Sequence, residues 1–307
     1  MVNNILLSLC IPTDGKVNLV IPTIESIYSQ GVDLSLFEVI VTDNGSSDDL
    51  SRIIDQYTYP NFHYFRTTSA GFTNQIDAFE KSTGIFCKLV SHRCRFLPGS
   101  LESLIGFVKK YMDSKPIIYC ADGYLKIDEL SECKDMDDFI NKMTYRISWS
   151  GGTCAWQKDI SNLREKSIDE LFPHLVFLFG LREATQYVIW NKKITTMEDD
   201  RKKGGYNYYH AFGVRLLDIV DSLRLNKSIS SDTFMKFKSD LFLFLSDTYI
   251  IEKIIPSKHK YDLKDIKKSI SVHYGKLYYY YMVLLAYINF PYKVFRKLLL
   301  GKSALER

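Results

Sequence analysis

A chain of 307 residues with 46% apolar side chains can fill a core, and its composition excludes a disordered protein. The net charge of +4 is unevenly placed: from Ile251 to Arg307 there are twelve Lys/Arg against four Asp/Glu, so residues 1–250 carry −4. A basic tail on a mildly acidic body points to an anionic surface as partner, and no run of about 18 uncharged apolar residues offers a spanning helix.

Cys10, Cys87, Cys94, Cys120, Cys133 and Cys154 form no CxxC pair. Most sit in apolar, strand-like context and read as small hydrophobes of a reducing cytosolic compartment, with no structural zinc. Met1 leads almost directly into a strand, with no signal-peptide pattern.

In chain order, Ile5 to Ile11 predicts a first strand, closed by the turn residues Pro12-Thr13-Asp14-Gly15. A helix follows to about Gln30, with Val20, Ile24, Ile27 and Tyr28 on one face and Pro22 in its first turn. Phe37 to Thr42 predicts a second strand that ends abruptly in Asp43-Asn44-Gly45-Ser46-Ser47. Asp48 or Asp49 is expected to cap the next helix, in which Leu50, Ile53, Ile54 and Tyr57 recur at helical spacing. Phe62 to Phe65 predicts a third strand, and Ala70-Gly71-Phe72 opens a helix with Phe72, Ile76 and Phe79 on one side. Phe86 to Val90 predicts a fourth strand, followed by Ser91-His92-Arg93-Cys94-Arg95 and a helix from Leu97-Pro98-Gly99-Ser100. Pro116 to Ala121 predicts another strand, ending at Asp122-Gly123. Short apolar strands alternating with amphipathic helices argue for an α/β fold, a mostly parallel sheet covered on both faces. Asp43 then stands at the carboxyl end of a strand, where ligands bind in such sheets.

Five segments in register resemble the family 2 nucleotide-sugar glycosyltransferases of GT-A fold. They are strand-Pro12-Thr13, the helix ending Ser26-Ile27-Tyr28-Ser29-Gln30, strand-Thr42-Asp43-Asn44-Gly45-Ser46-Ser47-Asp48, Gly71-Phe72, and Leu97-Pro98-Gly99-Ser100-Leu101. The resemblance covers roughly residues 5–190 and is greatest to bacterial enzymes that build O-antigen, capsule or other surface polysaccharide. It implies a GT-A domain over residues 1–200 and leaves a C-terminal helical region over 201–307. Carried onto this sequence, Pro12, Thr13 and Asp43 hold the nucleotide, Asn44, Gly45 and Ser46 keep the backbone close to it, and Gly71 and Gln75 flank the sugar-nucleotide. A carboxylate suits a uracil imide or ribose hydroxyls because it only accepts hydrogen bonds.

The family's metal-binding Asp triplet is replaced here by His92, Arg93 and Cys94. No carboxylate remains for a hard divalent cation, so no metal cofactor is expected. Two readings stay open. Either His92, Arg93 and Arg95 supply the positive charge for the diphosphate, or the chain is a non-catalytic sugar-nucleotide-binding or scaffold subunit. Trp149, Gly151 and Gly152 resemble the strip that lines the donor sugar and acceptor, where Trp149 can stack on a sugar face. The catalytic base that follows in the family aligns with His174, with Asp169 and Glu170 as carboxylate alternatives.

From Gly204 the pattern becomes long helices, over Tyr208 to Leu225 and Thr233 to Ile255, then a Lys-rich stretch from Asp262 to Ile270. Tyr274 to Leu300 combines tyrosines, aliphatics and flanking cations, with Asn289 and Pro291 as interruptions. That composition suits either the membrane interface or a helical bundle whose aromatics pack on the first domain, and no nucleic-acid recognition motif is present. The expected reaction is inverting sugar transfer from a nucleoside-diphosphate sugar to a hydroxyl of an oligosaccharide or lipid-linked acceptor. The expected location is peripheral, on the cytoplasmic face of the inner membrane.

Overall fold

The computed structural model describes residues 5–161, 163, 166–180, 184, 186–198, 204–254 and 259–300. The apolar run LSLCI lies in β1 (Leu7–Thr13), whose residues are buried toward both faces. Leu7, Leu9 and Ile11 pack with Val20, Ile24 and Ile27 of α1 (Val17–Tyr28), while Cys10 faces the opposite layer with Ile76, Phe79 and Phe177. A strand covered on both faces has to be apolar throughout, and that is why it carries no alternation. Each of these aliphatic or aromatic side chains contributes about 1.5–3 kcal/mol by leaving water.

The chain continues through β2 (Phe37–Asp43), α2 (Asp49–Ile54), β3 (Phe62–Arg66), α3 (Asn74–Glu80) and β4 (Phe86–Leu89). Next come β5 (Cys94–Phe96), α4 (Ser100–Tyr111), β6 (Ile117–Cys120), β7 (Leu130–Cys133) and α5 (Met136–Met143). Short elements β8 (Cys154–Trp156), α6 (Gln157–Ile160), α7 (Leu175–Phe179), β9 (Tyr187–Trp190) and β10 (Thr195–Met197) follow. The central sheet has the order β3-β2-β1-β4-β8, parallel from β3 through β4 and antiparallel only at β8. A smaller sheet, β6-β9-β7, and the pair β5-β10 lie in the same unit. Strand order reverses between β1 and β4, which makes their carboxyl ends the switch point of the sheet. This is a mixed α/β fold with a parallel-rich central sheet.

Several local expectations are corrected. Pro22 lies in the second turn of α1, because the helix starts at Val17; its ring removes one interior hydrogen bond. Neither Asp48 nor Asp49 caps α2 through its side chain; the Ser47 hydroxyl accepts from the Asp49 amide at 3.2 Å instead. Phe72 is exposed while Ile76 and Phe79 are buried, because Phe72 belongs to a separate 3₁₀ turn, Gly71–Thr73, whose residues do not continue the face of α3. All six cysteines are buried thiols.

Contacts along the chain divide it into two compact units, Met1–Phe139 with Ile147–Asp199, and Ile140–Arg146 with Asp200–Arg307. In the second unit β11 (Gly204–Asn207) pairs with β12 (Lys260–Asp262). The helices are α8 (Tyr208–His210), α9 (Leu216–Leu225), α10 (Ser231–Tyr249), α11 (Ile266–Tyr274) and α12 (Lys276–Leu300). Ser230 caps α10 by accepting from the Thr233 amide. Helix α12 runs through Asn289 and Pro291 without a break, since a proline inside a long helix forfeits one bond and leaves the rest of the ladder intact. The side chains of Lys293, Arg296 and Lys297 lie outside the described residues. No helix among the described residues is long and apolar enough to cross a membrane.

Away from the switch point, β2 buries an acid. Glu38 is 1% exposed and accepts from Ser8 Oγ at 2.5 Å and from the amides of Thr83 and Gly84 at 2.6 and 3.1 Å. Replacing Glu38 by Ala takes this acceptor from the buried Ser8 hydroxyl and from the Thr83 amide, while the Gly84 amide keeps Ser8 Oγ at 2.8 Å; a buried polar group left unpaired costs about 1–3 kcal/mol. We expect Glu38→Ala to lose about 3 kcal/mol or more in denaturant unfolding with an unchanged m-value. A loss below about 1 kcal/mol would show that water replaces the carboxylate.

Candidate functional site

Four loops meet at the carboxyl ends of β1, β2, β3 and β4. Parallel pairing sets Thr13 beside Asp43 and Asp43 beside Arg66. Asp43 has no exposed surface. Its Oδ1 accepts from the Gly45 amide at 2.8 Å, and its Oδ2 accepts from the Tyr64 hydroxyl and the Arg66 guanidinium, both at 2.8 Å. An ionised carboxylate has about four acceptor positions, so these three donors leave one unfilled. Burial and the bond to Asp43 push the Tyr64 phenol up to about 12, which keeps it a neutral donor. Arg66 also reaches the carbonyls of Gly45 and Ser47 at 2.7 and 3.1 Å and thereby shapes the turn. Tyr64 and Arg66 escape a motif reading. The available signal is their two-residue spacing on a strand that runs beside β2.

Asn74 is a third residue that the sequence motif does not single out. Its amide donates to the carbonyls of Thr13 and Thr42 at 3.2 and 2.8 Å, and its oxygen accepts from Thr67 at 2.9 Å. One buried side chain therefore ties the ends of β1 and β2 to the loop after β3. Asn44 adds a parallel tie, from its amide to Thr13 and from its side chain to the carbonyls of Ser69 and Gly71. Gly45 is needed for close approach, but to protein: a Cβ there would stand 2.4 Å from the Asp14 carbonyl. Gly71 has φ of +52° and is exposed, and Pro12 is half-buried opposite Thr42. Gln75 is buried, and its side-chain oxygen has no hydrogen-bond partner.

Across the switch point His92 Nδ1 lies 2.9 Å from Thr13 Oγ1 and 3.9 Å from the Asp14 carboxylate. Arg93 is half-buried in the same turn. Arg95 does not join them. Its guanidinium turns into the fold, donating to the Leu19 carbonyl at 3.2 Å and to Thr23 Oγ1 at 2.8 Å, and burial lowers its pKa. The reason is register: β5 alternates, so Arg95 points to α1 while Cys94 and Phe96 enter the core. The groups after β4 are a hydroxyl, an imidazole, a guanidinium and a buried thiol, a set that does not fit a hard divalent cation. Among the described residues no group of three or more His, Cys, Asp or Glu is placed to hold a metal.

The glycine strip is built against its own aromatics. A Cβ on Gly151 would come within 2.7 Å of the Trp149 ring, and one on Gly152 within 2.4 Å of the Tyr119 ring. Trp149 is half-buried, packed edge-on against Tyr124 at 5.5 Å. Beneath it Lys88, 4% exposed on β4, donates from Nζ to the Gly151 carbonyl at 2.7 Å. A small cavity of about 10 Å³ is lined by Lys88, Trp149, Gly151, Asp122 and Thr195 among others. Burial opposes the Lys88 charge, yet the neighbouring Cys120 and Cys154 thiols and Asp122 hold its pKa above the ordinary value. A lysine in a core strand breaks the apolar pattern, and positions that do so are where function is sought.

His174 is not placed as a base. It is 2% exposed, its Nε2 is 3.1 Å from the Ile147 carbonyl, and its Nδ1 is buried without a partner. Desolvation lowers its pKa to about 4, with the Ile147 bond and Asp169 acting in the opposite sense. Leu175 to Phe179 form a helix packed in the core, and that carries His174 inward with it. Asp169 accepts from the amides of Leu171 and Phe172 at 2.8 and 2.9 Å, the bonds of a turn-capping acid, whereas Glu170 is exposed.

Residues 8–156 match the family described as Glycosyl transferase family 2. No curated protein sequence matches the chain significantly. Among solved structures, S. aureus TarS 1–349 is similar at 12% identity with a TM-score of 0.59, over 81% of this chain and 75% of that one. The same protein in complex with UDP-GlcNAc gives 0.56 at 12% identity, over 80% and 72%. At this identity the likeness is one of fold. The mannosyltransferase PcManGT from Pyrobaculum calidifontis, in complex with GDP-Man and Mn²⁺, covers 98% of this chain and 84% of its own at 14% identity, with a TM-score of only 0.48.

The His174 environment generates a test by pH. Its folded pKa of about 4 lies below the ordinary 6.5, so the unfolded chain binds the proton first. The contribution is fully present above pH 6.5 and is lost as pH falls toward 4, by about 3 kcal/mol at most. Chemical denaturation between pH 7 and 4.5 is expected to show this slope, and His174→Leu is expected to flatten it. An equal slope in both proteins refutes the assignment.

Proposed function

Because the chain is a glycosyltransferase, we propose that it moves a sugar from a nucleoside-diphosphate sugar to a hydroxyl of a lipid-linked acceptor in O-antigen, capsule or related surface-polysaccharide synthesis. The carrying observation is Asp43: a fully buried carboxylate at the carboxyl end of β2 with one acceptor position left. That position suits the imide N–H of a pyrimidine base or a ribose hydroxyl. Thr13 and Asn44 complete the nucleotide side, and His92 and Arg93, in the turn after β4, face the diphosphate. Arg95 is withdrawn from that role. UDP-GlcNAc, bound by the TarS structure of similar fold, is the first donor to try.

Transfer by direct displacement inverts the anomeric carbon. The acceptor oxygen loses its proton to a base and forms the new bond, while the bond to the diphosphate breaks and the nucleotide leaves. His174 is buried, so the base passes to the carboxylates before it. Of these, Glu170 is exposed and Asp169 is committed to capping. Trp149 and the Gly151–Gly152 turn line the sugar, and Lys88 fixes that turn by its bond to the Gly151 carbonyl. Charge stabilisation falls to His92 and Arg93 in place of a divalent metal. A lipid-linked acceptor sets the place of work, peripheral on the cytoplasmic face of the inner membrane. We keep residues 1–200 as the transferase domain and 201–307 as its helical partner.

Two measurements test this reading. Asp43→Asn keeps the size of the side chain but loses its charge, and calorimetry should show nucleotide binding weakened by about 1–3 kcal/mol, the value of a charge-assisted hydrogen bond. Unchanged affinity in a folded variant removes Asp43 from the site. Thermal shift with UDP and UDP-GlcNAc should persist in EDTA, since a ligand that binds the native state raises its melting temperature. A shift that appears only with Mn²⁺ contradicts the metal-free assignment.

A further inference from the structure

Helix α12 is apolar on two faces. Met282 and Ala286 are fully buried, and Tyr278 and Tyr281 pack on Phe242 of α10 at 5.6 and 5.8 Å. Those contacts account for one face. The other carries Leu277, Tyr280, Leu284, Tyr287 and Ile288, at spacings of three, four, three and one residues, which is a single helical stripe. All five are exposed, Leu277 by 80% and Ile288 by 62%. The stripe runs about 16 Å along the helix at 1.5 Å per residue. An apolar helical face in water that the fold leaves uncovered marks a surface with a partner.

Charge identifies the partner. Between Asp265 and Glu306 the sequence has seven Lys/Arg and no acidic residue. Lys267 stands at the edge of the stripe, its Nζ donating to the Tyr280 hydroxyl at 2.7 Å and lying 4.8 Å from that ring's centre. Lys268 and Lys276 are exposed nearby in sequence. An apolar face with tyrosine hydroxyls at its margin and lysines beside it matches the boundary between acyl chains and anionic head groups. A second copy of this chain would meet the same positive charge and be repelled by it. Crossing the bilayer is not required, and no described helix is suited to it.

We propose that the Leu277-Tyr280-Leu284-Tyr287-Ile288 face of α12 is a docking surface for anionic phospholipid, lying flat in the interface with its lysines on the head groups. The inference deepens the proposed function, in that it names the surface by which the transferase reaches a membrane-held acceptor. Its evidence is independent of the nucleotide site, so the two can fail separately.

The test is sedimentation of the full chain with sucrose-loaded vesicles, either pure phosphatidylcholine or a mixture containing phosphatidylglycerol. Binding to the anionic vesicles is expected to exceed binding to the neutral ones at least tenfold at low salt and to fall as salt rises. The variant Leu277→Ser/Leu284→Ser/Ile288→Ser changes only exposed side chains, and it is expected to lose at least tenfold in binding while keeping the wild-type melting temperature. Lys268→Glu/Lys276→Glu should weaken binding to anionic vesicles alone. The proposal is overturned if the wild-type chain ignores anionic vesicles at low salt, or if the triple variant binds them as the wild type does. It is also overturned if light scattering shows a wild-type dimer that the triple variant abolishes, since the face then belongs to a second copy.

Discussion

A carboxylate with no exposed surface has to be supplied with donors, and most of the candidate site follows from how Asp43 is supplied. Its three donors come from its own loop, from β3 and from the end of β3. To deliver them, β3 must lie beside β2 in the observed register, and the turn must bring the Gly45 amide back onto Asp43. Gly45 must in turn be glycine, since the loop after β1 presses on it. Asn74 closes the arrangement by joining the carbonyls of Thr13 and Thr42. Strand order, turn conformation and ligand-facing chemistry are thus settled by one electrostatic requirement: a buried charge that leaves water must regain its hydrogen bonds inside the protein.

The same reasoning applies two strands away with the sign reversed. Lys88 is a cation on a core strand, and its ammonium is met by the Gly151 carbonyl and by the field of Asp122. Asp122 is itself held by the amides of Ile194 and Thr195 and by the Thr195 hydroxyl. Two charges of opposite sign therefore flank the cavity beneath Trp149, each anchored to a different loop. Isolated charges of this kind are costly to bury. Pairing and hydrogen bonding reduce the cost and, in doing so, fix the loops that carry the partners. Around the switch point the fold uses polar contacts to place loops, and leaves stability to the apolar layers on either side of the sheet.

The alternation of apolar strands with amphipathic helices, the turns at Asp43 and Gly71, and the glycine strip were all legible as local patterns. Periodicity and turn chemistry act over a few residues, and the chain order of the first four strands follows from them. Legibility stopped where a role depends on which way a side chain points after packing. Arg95 reads as one of three basic residues within four positions, but strand alternation sends it to α1. His174 reads as a base by alignment and is a core histidine, because the helix it precedes is buried. Asp169 reads as a carboxylate in the right window and is occupied with two amides.

By itself the sequence determined the α/β class, the position of Asp43 at a strand end, and the contrast between a mildly acidic body and a basic, tyrosine-rich tail. These rest on composition, period and charge, which need no partner from elsewhere in the chain. Only the tertiary structure decided that β1 and β4 flank the switch point, that Tyr64, Arg66 and Asn74 serve the Asp43 loop, and that Lys88 lies under the glycine strip. It alone also showed which face of α12 is left exposed. Those facts are contacts between residues distant in sequence, and no local pattern encodes them: burial and hydrogen bonding assign each side chain its neighbours only once the strands have paired.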